Sequence, residues 1–253
     1  MGEKGMEKNT VSDEEIRSAI HRYVREAIWR NANIEIAVTF PDTEAVLDGQ
    51  LPDDLTLDDG IVINNIKRAW AYLEKNWRAG VDFDLASQYN AILGGGLVLG
   101  AGELRTGESW ITGTDYRPKI STKEDVLSDF SVIEEIKNPI DRALIYFSEI
   151  CRSQFFNDGN KRTAQMIANH VLIQNGKGFL GLRPDLAHMK EFRSRLISFY
   201  ESGDSTQLRD FLKKTAIMDF KTGLTQEQEE SKSLAATGES LKSRIQKMKL
   251  EEK

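Results

Sequence analysis

The stretch from Pro139 to Gly176 constrains this chain more than any other. Ile140, Leu144, Phe147 and Cys151 recur at helical spacing, as do Ala164, Ile167, Ala168 and Val171, so an apolar-striped helix stands on each side of a short polar connection. Asn138-Pro139 opens the first helix, with proline where its missing N–H costs nothing. Asn175-Gly176 ends the second. The connection reads Gln154-Phe155-Phe156-Asn157-Asp158-Gly159-Asn160-Lys161-Arg162-Thr163. Running into a helix start, it aims free backbone N–H groups and the positive end of the helix dipole at one spot. That geometry holds anions, most often phosphate. Asp158 can hold an accompanying Mg²⁺ through one carboxylate, while Lys161 and Arg162 add a point charge and a planar fork for phosphate oxygens. D-G-N is also a common turn tripeptide, and basic residues at a helix start are often a solvated face. The loop by itself leaves both readings open.

The rest of the chain places this loop in a helical protein. Ser12 with Glu15 forms a capping box ahead of Ile16, Ile20, Tyr23 and Ala27. Asn31 to Ile36 continues that helix until Pro41, where a short helix carrying Val46 and Leu47 begins. Gly49 to Gly60 is an acidic, turn-rich surface connection. Ile63, Ile66, Trp70, Leu73 and Trp77 form an amphipathic helix ended by Gly80, and Phe83 to Leu93 forms another. The glycines from Gly94 to Gly102 read as a flexible connection, since no G-K-[ST] follows them. Trp110, Ile111 and Thr112, between turn residues, predict a short β-hairpin over Arg105 to Arg117. Ser121 with Glu124 caps a helix on Val126, Phe130 and Ile133. Two further helices follow, on Leu186, Met189, Leu196 and Phe199 and on Leu208, Phe211, Leu212 and Thr215. The fold class is all-α, a bundle of about eight helices with one hairpin.

Composition narrows the function. The formal charge of −6 argues against direct nucleic-acid binding. No apolar run reaches the ~18 residues of a membrane span, and the polar N-terminus does not resemble a signal peptide. The single cysteine, Cys151, fits a reducing cytoplasm and a packed position beside Phe147.

The motif from Gln154 to Gln165, Q-F-F-N-D-G-N-K-R-T-A-Q, resembles the signature H-x-F-x-(D/E)-G-N-(G/K)-R-x-x-R of the Fic/Doc (Fido) family. Gly102-Glu103-Leu104-Arg105 with Trp110 to Tyr116 is similar to that family's flap, and the segment from Ala32 to Gly49 to the part that precedes many of its cores. The resemblance runs from about Ile16 to Thr215. It implies a Fic-type helical fold with a flexible tail at 1–11, an N-terminal helical region with an inhibitory-helix-like segment at 12–60, a core domain at 61–220 and a polar tail at 221–253, helical or disordered. It implies ATP or another nucleoside triphosphate with Mg²⁺ as cofactors, and transfer of AMP or phosphate to a hydroxyl of a target protein. Carried over by position, Asp158 holds the metal, and Gly159, Asn160, Lys161 and Arg162 bind the nucleotide. Phe156 seats the loop. Trp110, Ile111, Thr112, Gly113 and Thr114 bind a target segment by strand addition.

Three departures qualify that expectation. The family's catalytic histidine is Gln154 here, and a neutral amide cannot accept the target's proton. Loss of a general base typically costs ~10²–10⁴-fold. The family's second arginine is Gln165. In Asn31-Ala32-Asn33-Ile34-Glu35-Ile36 only Glu35 survives of the inhibitory motif; it points at the site, toward Arg162, or is an exposed or capping glutamate. His170 is expected to be a packed histidine. The functions in competition are a transferase using Gln154, Asp158 and Arg162, a catalytically weak regulatory module of a toxin–antitoxin type system, and a hydrolase removing AMP with Gln154 and Glu35. Homo-oligomerisation is left open.

Overall fold

The structure is a computed structural model, which describes residues 11–233 and residue 235, and the chain is largely helical over them. Helix α1 (Asp13–Ala32) starts at Ser12, whose hydroxyl accepts from Glu15 N while the Glu15 carboxylate accepts from Ser12 N, a reciprocal cap. It ends in a turn at Asn33, short of Pro41. There follow α2 (Phe40–Leu47), capped by Thr39, and α3 (Leu57–Asn76), capped by the pair Thr56 and Asp59. Next come α4 (Phe83–Gly94), α5 (Lys123–Glu134) and α6 (Pro139–Ser153). The chain continues through α7 (Asn160–Gln174), β1 (Phe179–Leu180), α8 (Leu186–Ser202), α9 (Thr206–Thr215) and β2 (Ile217–Met218). Residues 226–233 are also helical.

Helix α7 is the centre of the molecule. Every residue from Asn160 to Ile173 except Lys161 is buried, as befits a helix with neighbours all round it. Helix α6 lies along one side, and α4, α1 and α3 cover others. The amphipathic stripe of α6 turns Leu144, Phe147, Ile150 and Cys151 into the core. Because α6 and α7 are the most extensively packed pair, the loop joining them is held by the best-buried part of the fold.

Four sequence expectations are corrected. Arg105 to Arg117 forms no strand; the nearest bridge, between Leu104 and Phe156, lies just before it. The two-stranded antiparallel sheet lies elsewhere, with Phe179 opposite Met218 and Leu180 opposite Ile217. The cap of α5 is Thr122 with Asp125, one residue later than Ser121 with Glu124. Leu186, read as core, is the first residue of α8 and 84% exposed. Most of the polar tail, residue 234 and everything beyond residue 235, and the tail before Val11 lie outside the described residues. No helix among the described residues is long and apolar enough to cross a membrane.

Candidate functional site

Helix α6 ends where Gln154 turns left-handed, at φ 49° and ψ 55°. It is the one non-glycine with positive φ among the described residues, and such a conformation costs of order 1–2 kcal/mol unless its surroundings impose it. Here they do. Gln154 N donates to Ile150 O at 3.2 Å. The Gln154 carbonyl accepts from Arg105 Nε at 2.6 Å. Its amide Nε2 donates to Cys151 O at 2.5 Å, and its Oε1 accepts from Asn160 Nδ2 at 3.1 Å. Both ends of the side chain are therefore committed within the loop.

Phe155 and Phe156 are buried, with Phe156 stacked on Phe83 at 6.2 Å between centroids. Asn160 closes the loop above them. Its Oδ1 accepts from Phe156 N and its Nδ2 donates to Phe156 O, both at 2.9 Å. The Asn160 side chain is thus structural, and the helix start is presented by backbone. Sequence reasoning missed a second clamp, Asn90 on α4. Its Nδ2 donates to Asp158 O (2.8 Å) and Thr163 Oγ1 (3.0 Å), and its Oδ1 accepts from Gly102 N (2.8 Å). Gly102, at φ +87°, lies so close to α4 that a Cβ would stand 2.9 Å from Ala91 Cβ. The glycines read as a flexible connection are here a close fit between α4 and the loop.

Gly159 precedes α7 at φ 75°, and no side chain caps the helix there. Arg162 reaches back over this start and is 3% exposed. Its Nη2 lies 3.3 Å from Asp158 Oδ2, and its Nη1 donates to Leu93 O at 3.3 Å. Its Nε is buried without a partner. A guanidinium beside a helix start that no side chain caps favours an anion there, with Asp158 already offsetting part of its charge. The Asp158 carboxylate is more than half exposed. Among the described residues no group of three or more His, Cys, Asp or Glu gathers as a metal cage. The protein's share of a cation here would be Asp158 alone, which suits Mg²⁺ held largely by phosphate oxygens and water.

Glu35 does point at the loop. Its partner is Lys161, Oε2 to Nζ 3.2 Å, where Arg162 was expected. Gln165 is buried beside Asn31, whose side-chain oxygen accepts from Trp70 Nε1 (3.1 Å) while its amide nitrogen donates to Ala27 O (3.0 Å). A neutral, buried side chain thus stands where the resemblance places the family's second arginine.

The flap is organised by Arg105. Besides Gln154 O, its guanidinium donates to Gly107 O (2.7 Å), Pro118 O (3.0 Å) and Lys119 O (2.6 Å). Four carbonyls around one buried cation replace the cross-strand ladder of a hairpin, which is why no strand forms. Burial holds the Arg105 pKa below the usual arginine range. Tyr116 lies under the Arg152 guanidinium, 4.2 Å away, and stacks on Tyr200. Between these anchors Trp110 is 64% exposed, Thr112 and Gly113 are exposed, Ile111 is partly packed on the core, and Thr114 Oγ1 accepts from Tyr116 N.

His170 lies outside the site and is packed, as expected from sequence. Its Nδ1 meets Tyr89 Oη at 2.9 Å and its Nε2 meets Ala79 O at 3.1 Å. Cys151 is buried, and burial pushes its thiol pKa well up, so it is not a nucleophile.

Residues 86–172 match the model of the Fic/DOC family. Comparison with curated protein sequences returns no match. Among solved structures, the chain is similar to Fic-1 from C. elegans, at 16% identity and TM-score 0.65 over 94% of this chain and 69% of that one. It is also similar to a Fic-domain signalling protein from Bacteroides thetaiotaomicron, at 15% identity and TM-score 0.60 over 81% and 86%. A Fic family protein from Desulfovibrio desulfuricans gives 16% and 0.59 over 79% and 68%. At these identities the likeness is one of fold.

Proposed function

Because the chain carries the Fic/DOC-family core over residues 86–172, we propose that it binds a nucleoside triphosphate with Mg²⁺ at the start of α7 and transfers AMP or phosphate to a hydroxyl of a target protein. Family membership supports the general class of nucleotide-transferring enzymes. The observation that carries the finer reading is Arg162, buried beside a helix start that no side chain caps. Bound nucleotide would supply the activated phosphoryl group, and Mg²⁺ would offset its charge. The chain's own residues do the rest. Backbone N–H groups from Gly159 onward receive phosphate oxygens, Arg162 clamps them, and Asp158 holds the cation. Asn160 and Asn90 hold the loop rigid, which serves electrostatic stabilisation. The segment Trp110 to Thr114 offers backbone for a target strand.

The chemistry is slow by construction. Gln154 stands at the position from which a base would take the hydroxyl proton, and its amide has no proton-accepting basicity. Orienting a water for hydrolysis would require it to release Cys151 O or Asn160, so de-AMPylation with Glu35 is the less favoured reading. A regulatory nucleotide-binding module, as in a toxin–antitoxin pair, is the second reading, and the locked Gln154 amide favours it.

Calorimetric titration with ATP, with and without Mg²⁺, tests the binding step. Mg²⁺-dependent binding that is lost on Arg162→Ala is expected. Label transfer from ATP to lysate proteins tests the chemistry. Gln154→His should raise transfer by ~10²–10⁴-fold. If His at 154 binds ATP as well as the parent yet transfers nothing, the regulatory reading stands.

A further inference from the structure

We propose that Asn65, on α3, is a positioning residue for Arg162 and so sets how tightly the α7 site holds a polyphosphate. The inference rests on the reading of Arg162 as the anion clamp and names what holds that clamp in place. Asn65 is 3% exposed and belongs neither to the loop nor to α7. Its Nδ2 donates to Leu93 O at 3.2 Å and to Gly95 O at 2.7 Å. Its Oδ1 accepts from Arg68 Nη1 at 3.4 Å. Both N–H groups of the amide are therefore spent on the end of α4.

The last carbonyls of a helix have no partner within it, and α4 ends at Gly94. The N–H groups of Leu97 and Val98 both go to Gly94 O. Leu93 O is met instead by two side chains, Asn65 Nδ2 and, at 3.3 Å, Arg162 Nη1. A carbonyl oxygen offers two lone pairs, and here one takes the asparagine and the other the guanidinium. The same oxygen lies at the negative end of the α4 dipole, where a cation is favoured. On its other side the fork meets Asp158 Oδ2 at 3.3 Å. The Asp158 carboxylate is more than half exposed and is the group that would turn to Mg²⁺, so Leu93 O is the fixed point. Without Asn65, Gly95 O loses this donor, Leu93 O is free to tilt, and the fork is no longer held square to the helix start. Helix α3 thus reaches the site through one shared oxygen.

The Nε–Hε resonance of Arg162 in ¹⁵N spectra, assigned by its loss in Arg162→Lys, reports the guanidinium directly and needs no nucleotide. Asn65→Ala should shift it. The same variant should bind ATP with Mg²⁺ about five- to tenfold more weakly in calorimetry, at a temperature where it is fully folded. Asn64→Ala, one residue away on α3, loses a bond to its own helix at Gly60 O and should change neither reading. Asn65→Ser keeps one donor and should give smaller changes of the same kind; it carries the test if Asn65→Ala does not fold. An Arg162 resonance that stays put in a folded Asn65 variant overturns the proposal. So does a shifted resonance with full ATP affinity, or equal changes in Asn64→Ala. A parent chain that binds no ATP overturns the reading of the site itself, and the link from Asn65 to Arg162 is then judged on the resonance alone.

Discussion

Glu35 Oε2 lies 3.2 Å from Lys161 Nζ, so the turn after α1 is tied to the first turn of α7. Both side chains are about one-third exposed, which puts such a pair at ~0.2–1 kcal/mol. Any anion arriving at the helix start competes with Glu35 for Lys161. Glu35→Gln should therefore tighten ATP binding about two- to five-fold in calorimetry, with Tm changed by no more than a degree or two. Unchanged affinity would mean that Lys161 takes no part in binding.

Arg105→Lys tests the flap anchor. A lysine ammonium cannot span the four carbonyls that the guanidinium holds, and the buried oxygens left over cost about 2–3 kcal/mol. Chemical denaturation should report that loss. Amide exchange should accelerate in residues 106–117 while α7 stays protected. Equal acceleration in both would show that Arg105 acts on global stability alone.

Asn90→Ala removes the link between α4, the Asp158 carbonyl and the Gly102 amide. A stability loss of about 2 kcal/mol is expected. ATP affinity should fall at least five-fold at a temperature where the variant is fully folded, because the loop loses its rigid support. Full affinity in a destabilised variant would confine Asn90 to folding.

Two buried imidazoles give the fold an acid sensitivity. Burial lowers the pKa of His170 from 6.5, against the raising effect of its bond to Ala79. Burial, then the Arg183 charge, lowers that of His188. A depressed histidine stays neutral in the fold while the unfolded chain takes up protons below about 6.5, so stability falls as pH drops through that value and levels off below the folded pKa. Urea melts at pH 7.5 and 5.5 should show that fall. His188→Gln should reduce it while keeping the same sign. Parallel pH dependence in parent and variant would remove His188 from the account.

Much of this was legible in the residues. The spacings of α1, α3, α6 and α7, the Ser12–Glu15 cap and the Asn138-Pro139 start are local features, and local features are what a single sequence encodes. What was missed depends on distant partners. The fate of Arg105 to Arg117 was set by a buried guanidinium reaching carbonyls on two other stretches, which outweighed the strand preference of Trp110, Ile111 and Thr112. β1 and β2 are too short to carry an alternation. Asn90 looked like one more polar residue on a helix, and its role exists only once Asp158 and Gly102 come within reach. Glu35 was read toward the loop, but the choice of Lys161 over Arg162 follows from Arg162 being folded back onto Asp158.

The guanidinium that gathers Gly107, Pro118 and Lys119 fixes the two ends of a surface excursion to one point. The exposed stretch around Thr112 and Gly113 can then lengthen at little more than the entropy of closing a larger ring, which grows only with the logarithm of its length, provided Ile111 and Tyr116 keep their contacts. The surface excursion and the loop at Gln154 thus meet at one guanidinium, so changes confined to Thr112 and Gly113 should leave Gln154 and Asn160 where they are.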